Sequence, residues 1–444
     1  MDRRQFLRAT GAIATAAGSA GSLASAALAD AARHPVGAPV MRRFDEERWV
    51  LDNVIQANGI DWDQPHTVIL LRACGLDIAG DMNGLRQRVK KFADIAPAFE
   101  ALARRREQRA KEAENAGEKI PTRDNYFIAA QYWASAMWPI DEVDDTLKMY
   151  NAKKRETFTK YMAFADHHVE WAEIPYRGKT LPAVFHLPPG YQRGAGAKVP
   201  VVVLVPGMDG YKEKYVSLYA DAWMQRGVAA LVVEGPGYWE APLRGLYVDV
   251  PGWAETGKEV VRWLLARPEI DADRIAMTGS SFGSLFSAVM MSDEPRYKAC
   301  AITGTCYEPG GYTIFETASP TFKHRFMFMS GITDEREFDA FRKSIDWHGY
   351  AEKIKAPYLV AAGGSDELCP LEYSEQFVKA LAGPKQLVIY QDSRHGVGGV
   401  PSTFNGPEPR TFQAEWIMAR LAGKPFYSER WFVEASGKVD KSEL

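Results

Sequence analysis

Cysteine is scarce in this sequence. The 444 residues include four, Cys74, Cys300, Cys306 and Cys369, which is too few for a disulfide framework in a chain of this length. None shows the short paired spacing of a zinc site. We therefore interpret all four as packing residues, while a bridge between Cys300 and Cys306 stays open because export would allow oxidation.

A strong charge of one sign is also missing. The formal net charge is −3 at pH 7, so there is no broad basic field to attract nucleic acid or an acidic membrane surface. The chain shows no internal repeat either. These absences make a small molecule the expected partner, and they leave a homodimer open.

Long hydrophobic runs are absent, including at the N-terminus, where no run approaches the roughly 20 apolar residues of a membrane span. Residues 1–29 instead join a basic start at Arg3-Arg4, an Ala/Gly/Ser run and the sequence Ala27-Leu28-Ala29. This order is typical of a cleaved signal peptide. We disfavour the alternative, a short membrane anchor, because Gly and Ser interrupt the run, and we expect no stable span after cleavage.

The adjacent arginines followed by Phe6-Leu7 resemble a twin-arginine signal. That resemblance implies export of the folded chain by the twin-arginine translocation machinery. The expected location of the mature protein is therefore periplasmic or secreted.

Helical periodicity dominates the next part of the chain, for which we predict a helical cap domain at residues 30–165. Helices are expected at 45–57, in one or two pieces over 82–111, and at 125–138. The stretch 101–114 is dense in Arg and Glu and predicts a solvated helix face with pairs four residues apart.

The helix at 125–138 is too aromatic to face water on all sides. It either packs as a core helix or contributes rings to a substrate pocket. In the second case Tyr126 and Trp133 are the candidates for substrate binding.

After His167 the periodicity changes to that of strands, and several short Val-rich runs suit strands buried on both faces of a parallel sheet. We predict strands at 168–176, 179–186, 199–205, 228–233, 274–278, 300–303, 358–362 and 386–390, with helices between them, including 252–267 and 412–421. Strands that alternate with helices after an antiparallel hairpin predict an α/β fold with a doubly wound, mostly parallel sheet. This catalytic domain is placed at 166–425, followed by a C-terminal tail at 426–444.

The sequence Gly279-Ser280-Ser281-Phe282-Gly283 lies between the strand at 274–278 and a helix-like stretch. A Gly-x-Ser-x-Gly pattern is weak by itself, but a tight turn from a strand into a helix is the setting in which it exposes a nucleophilic serine. The flanking glycines select Ser281 over Ser280 as the predicted nucleophile.

A serine hydroxyl needs a base, and in folds of this kind the acid and the histidine follow the serine along the chain. His395 comes just after the strand at 386–390, and Asp366 comes just after the strand at 358–362. We predict His395 as the base and Asp366 as the acid that orients it, ahead of Glu367 and Asp392.

An oxyanion hole needs two backbone donors. The residue after the nucleophile, Phe282, supplies the first. The loop after the strand at 199–205 supplies the second, for which we propose the Met208 N–H, with Gly207 allowing the close approach. Tyr211 in the same loop and Glu308, after the strand at 300–303, are further candidates for substrate binding, although a loop carboxylate is usually just solvated.

No metal and no organic cofactor are expected. The adjacent residues His167 and His168 could ligate a metal, but no third ligand at a familiar spacing accompanies them.

Residues 95–425 resemble a branch of the α/β hydrolases that contains the fermentation-respiration switch protein, 2,6-dihydroxypseudooxynicotine hydrolase and fungal polyketide-shortening hydrolases. The matching motifs are the aromatic helix at 125–138 with Tyr150, Ile174-Pro175-Tyr176, Leu181-Pro182, the sequence at 206–210, Glu234-Gly235-Pro236-Gly237 and the turn at Ser281. The resemblance implies an N-terminal helical cap over the site and a triad of Ser281, Asp366 and His395. The residues at 208–210 and 238–240 depart from the pattern of the branch, so substrate shape does not transfer.

The predicted activity is hydrolysis of a carboxylic ester through an acyl-enzyme, with an aromatic or otherwise apolar substrate. The branch implies an alternative, cleavage of a carbon-carbon bond beside the carbonyl of an aryl ketone or β-diketone by the same triad. A peptidase and a non-catalytic binding protein are the weaker alternatives.

Overall fold

The protein is described by a computed structural model over residues 43–62, 66–194 and 196–444. The predicted signal peptide at 1–29 and the first residues of the predicted cap lie outside the described residues. Within the described ranges, no helix is both long enough and apolar enough to cross a bilayer.

The N-terminal helical segment, residues 43–164, has the helical character that the periodicity predicts. Its helices are α1 (Arg43–Asn58), α2 (His66–Cys74), α3 (Ala79–Arg88), α4 (Ile95–Asn115), α5 (Lys119–Ala136) and α6 (Asp145–Phe164). The aromatic helix is α5, whose residues from Tyr126 onward are almost all buried.

One expectation for α4 is partly wrong. Arg106 and Glu107, predicted on a solvated face, are buried, and Arg106 Nε donates to the Asp81 carboxylate at 2.7 Å. The buried charge of Arg106 is tolerated because it is paired with the carboxylate of Asp81 on α3. Charge density alone could not distinguish this contact from an exposed pair.

Ten strands of the described chain form one sheet. They are β1 (Val169–Tyr176), β2 (Lys179–His186), β3 (Val199–Val205), β4 (Ala229–Val233), β5 (Ile270–Ser281), β6 (Tyr297–Thr305), β7 (Tyr358–Gly363), β8 (Lys385–Tyr390), β9 (Glu429–Val433) and β10 (Val439–Glu443). Their order is β1-β2-β4-β3-β5-β6-β7-β8-β9-β10. The strands from β4 to β9 in this order run parallel, and the β1–β2, β2–β4 and β9–β10 pairs are antiparallel.

Helices cover both faces of this sheet, as β3 illustrates. Val201, Val203 and Val205 pack into one core cluster, whereas Val202 and Leu204 pack into the cluster on the other face. Period-two alternation places these two sets on opposite sides of the strand. The remaining helices are α7 (Val250–Leu265), α8 (Phe282–Ser292), α9 (Pro320–Ser330), α10 (Glu335–Phe341), α11 (Leu371–Ala380), α12 (Pro401–Asn405) and α13 (Pro409–Leu421). The α/β fold with a mostly parallel, doubly wound sheet is confirmed.

The structure differs from the prediction at 426–444, where we expected a tail. β9 pairs in parallel with β8, and β10 closes the sheet edge. Trp431 packs against Phe412 of α13, with ring centroids 5.3 Å apart, and Val433 is buried. Five residues alternating only weakly are too short a signal to reveal this pairing in the sequence.

A cluster of buried charges joins the helical segment to the loops that follow β3 and β4. Lys154 Nζ of α6 lies 2.9 Å from Glu240 and 3.0 Å from Glu213, and both contacts are ion pairs without hydrogen-bond alignment. Lys212 Nζ lies 3.0 Å from Glu213 and 3.3 Å from Glu234. We call these five residues the buried ion cluster. Its partners come from both parts of the chain, although the predicted division into two domains at residue 165 stays a prediction.

The charge of Lys154 is retained despite its position. Burial acts to lower the pKa of Lys154, but the carboxylates of Glu213 and Glu240 outweigh burial and raise that pKa above its usual value. The ammonium group is therefore charged at neutral pH and balances two carboxylates that have no access to water.

We predict that Lys154→Met lowers the free energy of unfolding by about 3–5 kcal/mol, because it removes one of the two buried ammonium groups that balance the three buried carboxylates of the cluster. The measurement is urea unfolding at pH 7. Lys148→Met is the matched control, since Lys148 lies on the same helix but pairs with the exposed Asp145, and it should unfold with the wild type. Equal midpoints for both variants would contradict the prediction.

Candidate active site

Ser281 lies at a sharp turn, where β5 ends and α8 begins at Phe282. Its backbone has φ 54° and ψ −129°, a region that L-residues rarely adopt and that costs about 1–3 kcal/mol. The glycines on either side make the turn feasible. A Cβ at Gly279 would come within 2.4 Å of the Gly283 carbonyl oxygen, and a Cβ at Gly283 within 2.1 Å of the Val205 carbonyl oxygen.

The structure brings the three predicted triad residues together from three strand ends. His395 Nε2 lies 3.0 Å from Ser281 Oγ. His395 Nδ1 lies 3.0 and 3.1 Å from the two carboxylate oxygens of Asp366. This chain of hydrogen bonds permits transfer of the serine proton to the imidazole, with the carboxylate opposite the imidazolium that forms.

Asp366 is held in place from its own loop. Its Oδ1 accepts hydrogen bonds from the backbone amides of Leu368 and Cys369, at 2.9 and 3.0 Å. Burial acts to lower the pKa of His395, but the charge and the hydrogen bond of Asp366 outweigh burial and raise that pKa above its usual value. The pair is thus built to stabilise the charged imidazole.

The two other carboxylates considered in the sequence have different partners. Glu367 Oε2 accepts from the backbone N–H of His395 at 3.0 Å, and Asp392 Oδ1 accepts from the backbone of Ser402. Glu367 therefore positions the histidine loop, whereas Asp366 contacts the ring.

The loop after β3 passes directly beside the nucleophile. A Cβ at Gly207 would lie 3.0 Å from Ser281 Cβ, so the absence of a side chain there permits the approach. The Gly207 N–H already donates to Tyr215 Oη at 3.0 Å. The next residue, Met208, is buried and follows the glycine that approaches the nucleophile. Phe282 directly follows Ser281 and begins α8.

The four predicted substrate-binding residues lie in different surroundings. Tyr126 Oη donates to Glu114 at 2.5 Å. Trp133 is fully buried and packs on Tyr150, with ring centroids 5.7 Å apart. These contacts place both side chains in the packing of the helical segment.

Tyr211 and Glu308 belong to the catalytic half of the chain. Tyr211 lines a small cavity of about 20 Å³ together with Asp209 and Trp239, and its ring meets the Trp239 ring edge-on at 5.0 Å. Glu308 accepts from the backbone N–H of Thr313 at 2.7 Å. The position of Tyr211 in the lining of this cavity supports it as a candidate for substrate binding.

The histidine pair considered as a metal site has other partners. His167 Nε2 lies 2.9 Å from His186 Nδ1, and His168 Nε2 lies 2.7 Å from Glu170. Among the described residues, no group of three His, Cys, Asp or Glu side chains has an arrangement that could hold a metal ion.

All four cysteines are buried free thiols, so Cys300 and Cys306 are not bridged. Cys306 Sγ instead lies 3.6 Å from Ser281 Oγ, and burial raises the pKa of the Cys306 thiol well above its usual range. The sequence did not predict this neighbour of the nucleophile or the Tyr215 contact, because both depend on how loops fold over the sheet edge.

Two family profiles match parts of the chain. The profile described as Esterase FrsA-like matches residues 101–316, and that of the prolyl oligopeptidase family matches residues 257–419. The first includes the predicted nucleophile, and the second includes all three residues of the hydrogen-bonded chain.

Curated relatives are fungal hydrolases. The chain is 31% identical over 257 residues to alpha/beta hydrolase xenA of Xenoacremonium sinensis, which covers 55% of this chain and 58% of that protein. It is 30% identical over 265 residues to alpha/beta hydrolase pydG of an Acremonium species, covering 57% and 59%. The chain thus spans less than two thirds of the length of these relatives.

Solved structures share the fold. The crystal structure of 2,6-dihydroxy-pseudo-oxynicotine hydrolase superposes with a TM-score of 0.66 at 21% identity, covering 82% of this chain and 98% of that one. AbyA5 superposes with a TM-score of 0.59 at 16% identity, covering 81% and 94%. Together, the two family matches, the hydrolase relatives and the common fold show that this chain has the α/β-hydrolase fold and indicate that it is a hydrolase.

Proposed function

We propose that this hydrolase is a serine esterase that cleaves a carboxylic ester of an aromatic or otherwise apolar acid or alcohol through an acyl-enzyme. The observation that carries the proposal is the chain of hydrogen bonds from Ser281 Oγ through His395 to Asp366. A Ser-His-Asp chain at a strand-to-helix turn is the arrangement that activates a serine for attack on a carbonyl carbon.

In the first half of the reaction, Ser281 Oγ attacks the ester carbonyl and His395 takes its proton. The tetrahedral oxyanion accepts hydrogen bonds from the Phe282 and Met208 amides. The engagement of the Gly207 N–H with Tyr215 supports Met208 as the second donor. His395 then gives its proton to the leaving alcohol, and in the second half it activates a water that releases the acid.

Aromatic side chains beside the nucleophile support an apolar substrate. The Phe282 ring lies 5.7 Å from Phe315 in a stacked arrangement and 4.7 Å from Phe326. These buried rings make the surroundings of the turn apolar, which favours an apolar group next to the scissile bond. Export through the twin-arginine route and a periplasmic or secreted location remain part of the proposal.

Ser281→Ala should lower kcat at least 10⁴-fold on 4-nitrophenyl esters, because the covalent step is lost. Ser280→Ala is the matched control: its hydroxyl lies one residue away, 3.4 Å from Tyr215 Oη, and it should keep activity within about tenfold of the wild type. The measurement is steady-state hydrolysis, with a circular dichroism spectrum of each variant. Full turnover by folded Ser281→Ala would refute the proposal.

The same assay separates the esterase from the carbon-carbon hydrolase. We expect wild-type activity on simple aryl esters. Cleavage of aryl β-diketones with no activity on the esters would replace the esterase proposal by the alternative.

The raised pKa of His395 predicts the pH profile. The base must be neutral, so kcat/KM should fall as the pH falls through its pKa, with the acid limb above the ordinary imidazole value of about 6.5. Asp366→Asn should lower kcat about 10⁴-fold and move the acid limb to lower pH, because the charge that raises the pKa is removed.

Glu367→Gln is the control for this prediction, since Glu367 contacts the His395 backbone and not its ring. It should retain most activity. If Asp366→Asn and Glu367→Gln have equal rates, the assignment of the acid is incorrect.

A further inference from the structure

Arg325, on α9, is a buried guanidinium with aromatic neighbours. Its side chain is 3% exposed, and its guanidinium carbon lies 4.4 Å from the Trp239 ring centroid, 4.8 Å from Phe328 and 5.6 Å from Trp138. Among the described residues, none accepts a hydrogen bond from its Nε or Nη1. Cation–π contacts offset only part of the cost of burying a charge.

Other buried cations of the chain face carboxylates. Arg106 pairs with Asp81, and Lys154 pairs with Glu213 and Glu240. Burial lowers the pKa of Arg325 to about 10, so the group is still protonated at neutral pH. A protonated guanidinium whose Nε and Nη1 meet no acceptor in the described part of the chain is suited to bind an anion.

Arg325 lines a cavity of about 80 Å³, which has room for a group of a few heavy atoms such as a carboxylate. Arg48 brings a second guanidinium to its wall. The carboxylate in the lining, Asp141, lies 3.1 Å from His324 Nδ1, which also lines the cavity. The charge of the cavity wall therefore favours an anion, and Asp141 disfavours one with two negative charges.

A line of contacts joins this cavity to the nucleophile. Trp138 lines both this cavity and the one beside Asp209 and Tyr211, and Trp239 lines the second cavity while it stacks on Arg325.

The second cavity in turn adjoins the catalytic turn. Asp209 Oδ1 would lie 3.2 Å from a Cβ at Gly207, and Ser281 Cβ would lie 3.0 Å from the same position. The anion cavity is thus linked to the nucleophile through Trp138 and Trp239, the second cavity and the loop at Gly207.

Resting on the esterase function above, we propose that Arg325 binds a carboxylate of the substrate, so that the preferred ester carries a free carboxylate group at a distance from the scissile bond. The planar guanidinium matches a carboxylate, and the flanking rings exclude water from the pair. Trp138 and Trp239 hold the apolar part of the molecule between the two ends.

Binding is tested first without catalysis, on the folded Ser281→Ala protein. Tryptophan fluorescence is titrated with 3-phenylpropanoate and with its neutral counterpart, 3-phenylpropanamide. We expect the acid to bind at least tenfold more tightly than the amide, and Arg325→Met in the same background to abolish that difference. An equal preference with and without Arg325 would overturn the proposal, as would displacement of the acid by a lower concentration of inorganic phosphate.

Turnover is then compared for mono-4-nitrophenyl adipate, which carries a carboxylate, and 4-nitrophenyl hexanoate, which does not. Arg325→Met should lower the ratio of kcat/KM for the two esters at least tenfold. Arg420→Met is the matched control, because Arg420 also stacks on two rings, Trp416 and Phe426, but on α13, and it should leave the ratio unchanged.

The two proposals fail in different ways. If the wild type hydrolyses neither ester, the esterase proposal is wrong. If the ratio of kcat/KM is the same in wild type and Arg325→Met, the carboxylate site is wrong.

If thermal unfolding shows that Arg325→Met does not fold, the Arg325→Lys variant tests the carboxylate site instead. It keeps the charge without the planar fork, and we expect at least a threefold loss of the preference for the acid; no loss would overturn the assignment.

Discussion

The turn between β5 and α8 is the constraint on which the site depends. Ser281 has a left-handed backbone conformation, and the turn is feasible because Gly279 and Gly283, two residues before and two after it, have no side chains to collide with neighbouring atoms. Everything that reaches the serine must approach this point on the sheet edge. His395 and Asp366 do so from loops after β8 and β7, and the Gly207 loop does so from β3.

The loop after β3 needs support of its own, because it carries the proposed oxyanion donor and its regular structure near the site is a three-residue 3₁₀ turn, Lys212–Lys214. The buried ion cluster supplies that support. Lys212 and Glu213 belong to the loop, Glu234 and Glu240 follow β4, and Lys154 comes from α6. Breaking one pair would leave charges without water or partner. The helical segment is thus coupled to the position of the loop beside the nucleophile.

Arg325 contrasts with this cluster. Both are buried and charged, but the ion cluster contains its own counter-charges, whereas the guanidinium of Arg325 meets aromatic faces. A network in which opposite charges face each other stabilises the fold, whereas a charge that faces no carboxylate suits an anionic ligand. The buried ion cluster therefore has a structural role, whereas Arg325 is the charge proposed to select the substrate.

The local pattern of the sequence determined the α/β fold and the choice of Ser281, Asp366 and His395, since strand periodicity, a Gly-flanked serine and residues directly after strand ends are all visible in one dimension. Carboxyl ends of parallel strands meet at one edge, so residues distant in the sequence could be placed together. Only the tertiary structure decided which charges are buried: Arg106, Lys154 and Arg325 look like other basic residues in the chain. Their burial depends on contacts between elements far apart in sequence, as do the pairing of β9 and the position of Cys306 beside Ser281, because periodicity reports which face of an element is apolar and not which partner covers it.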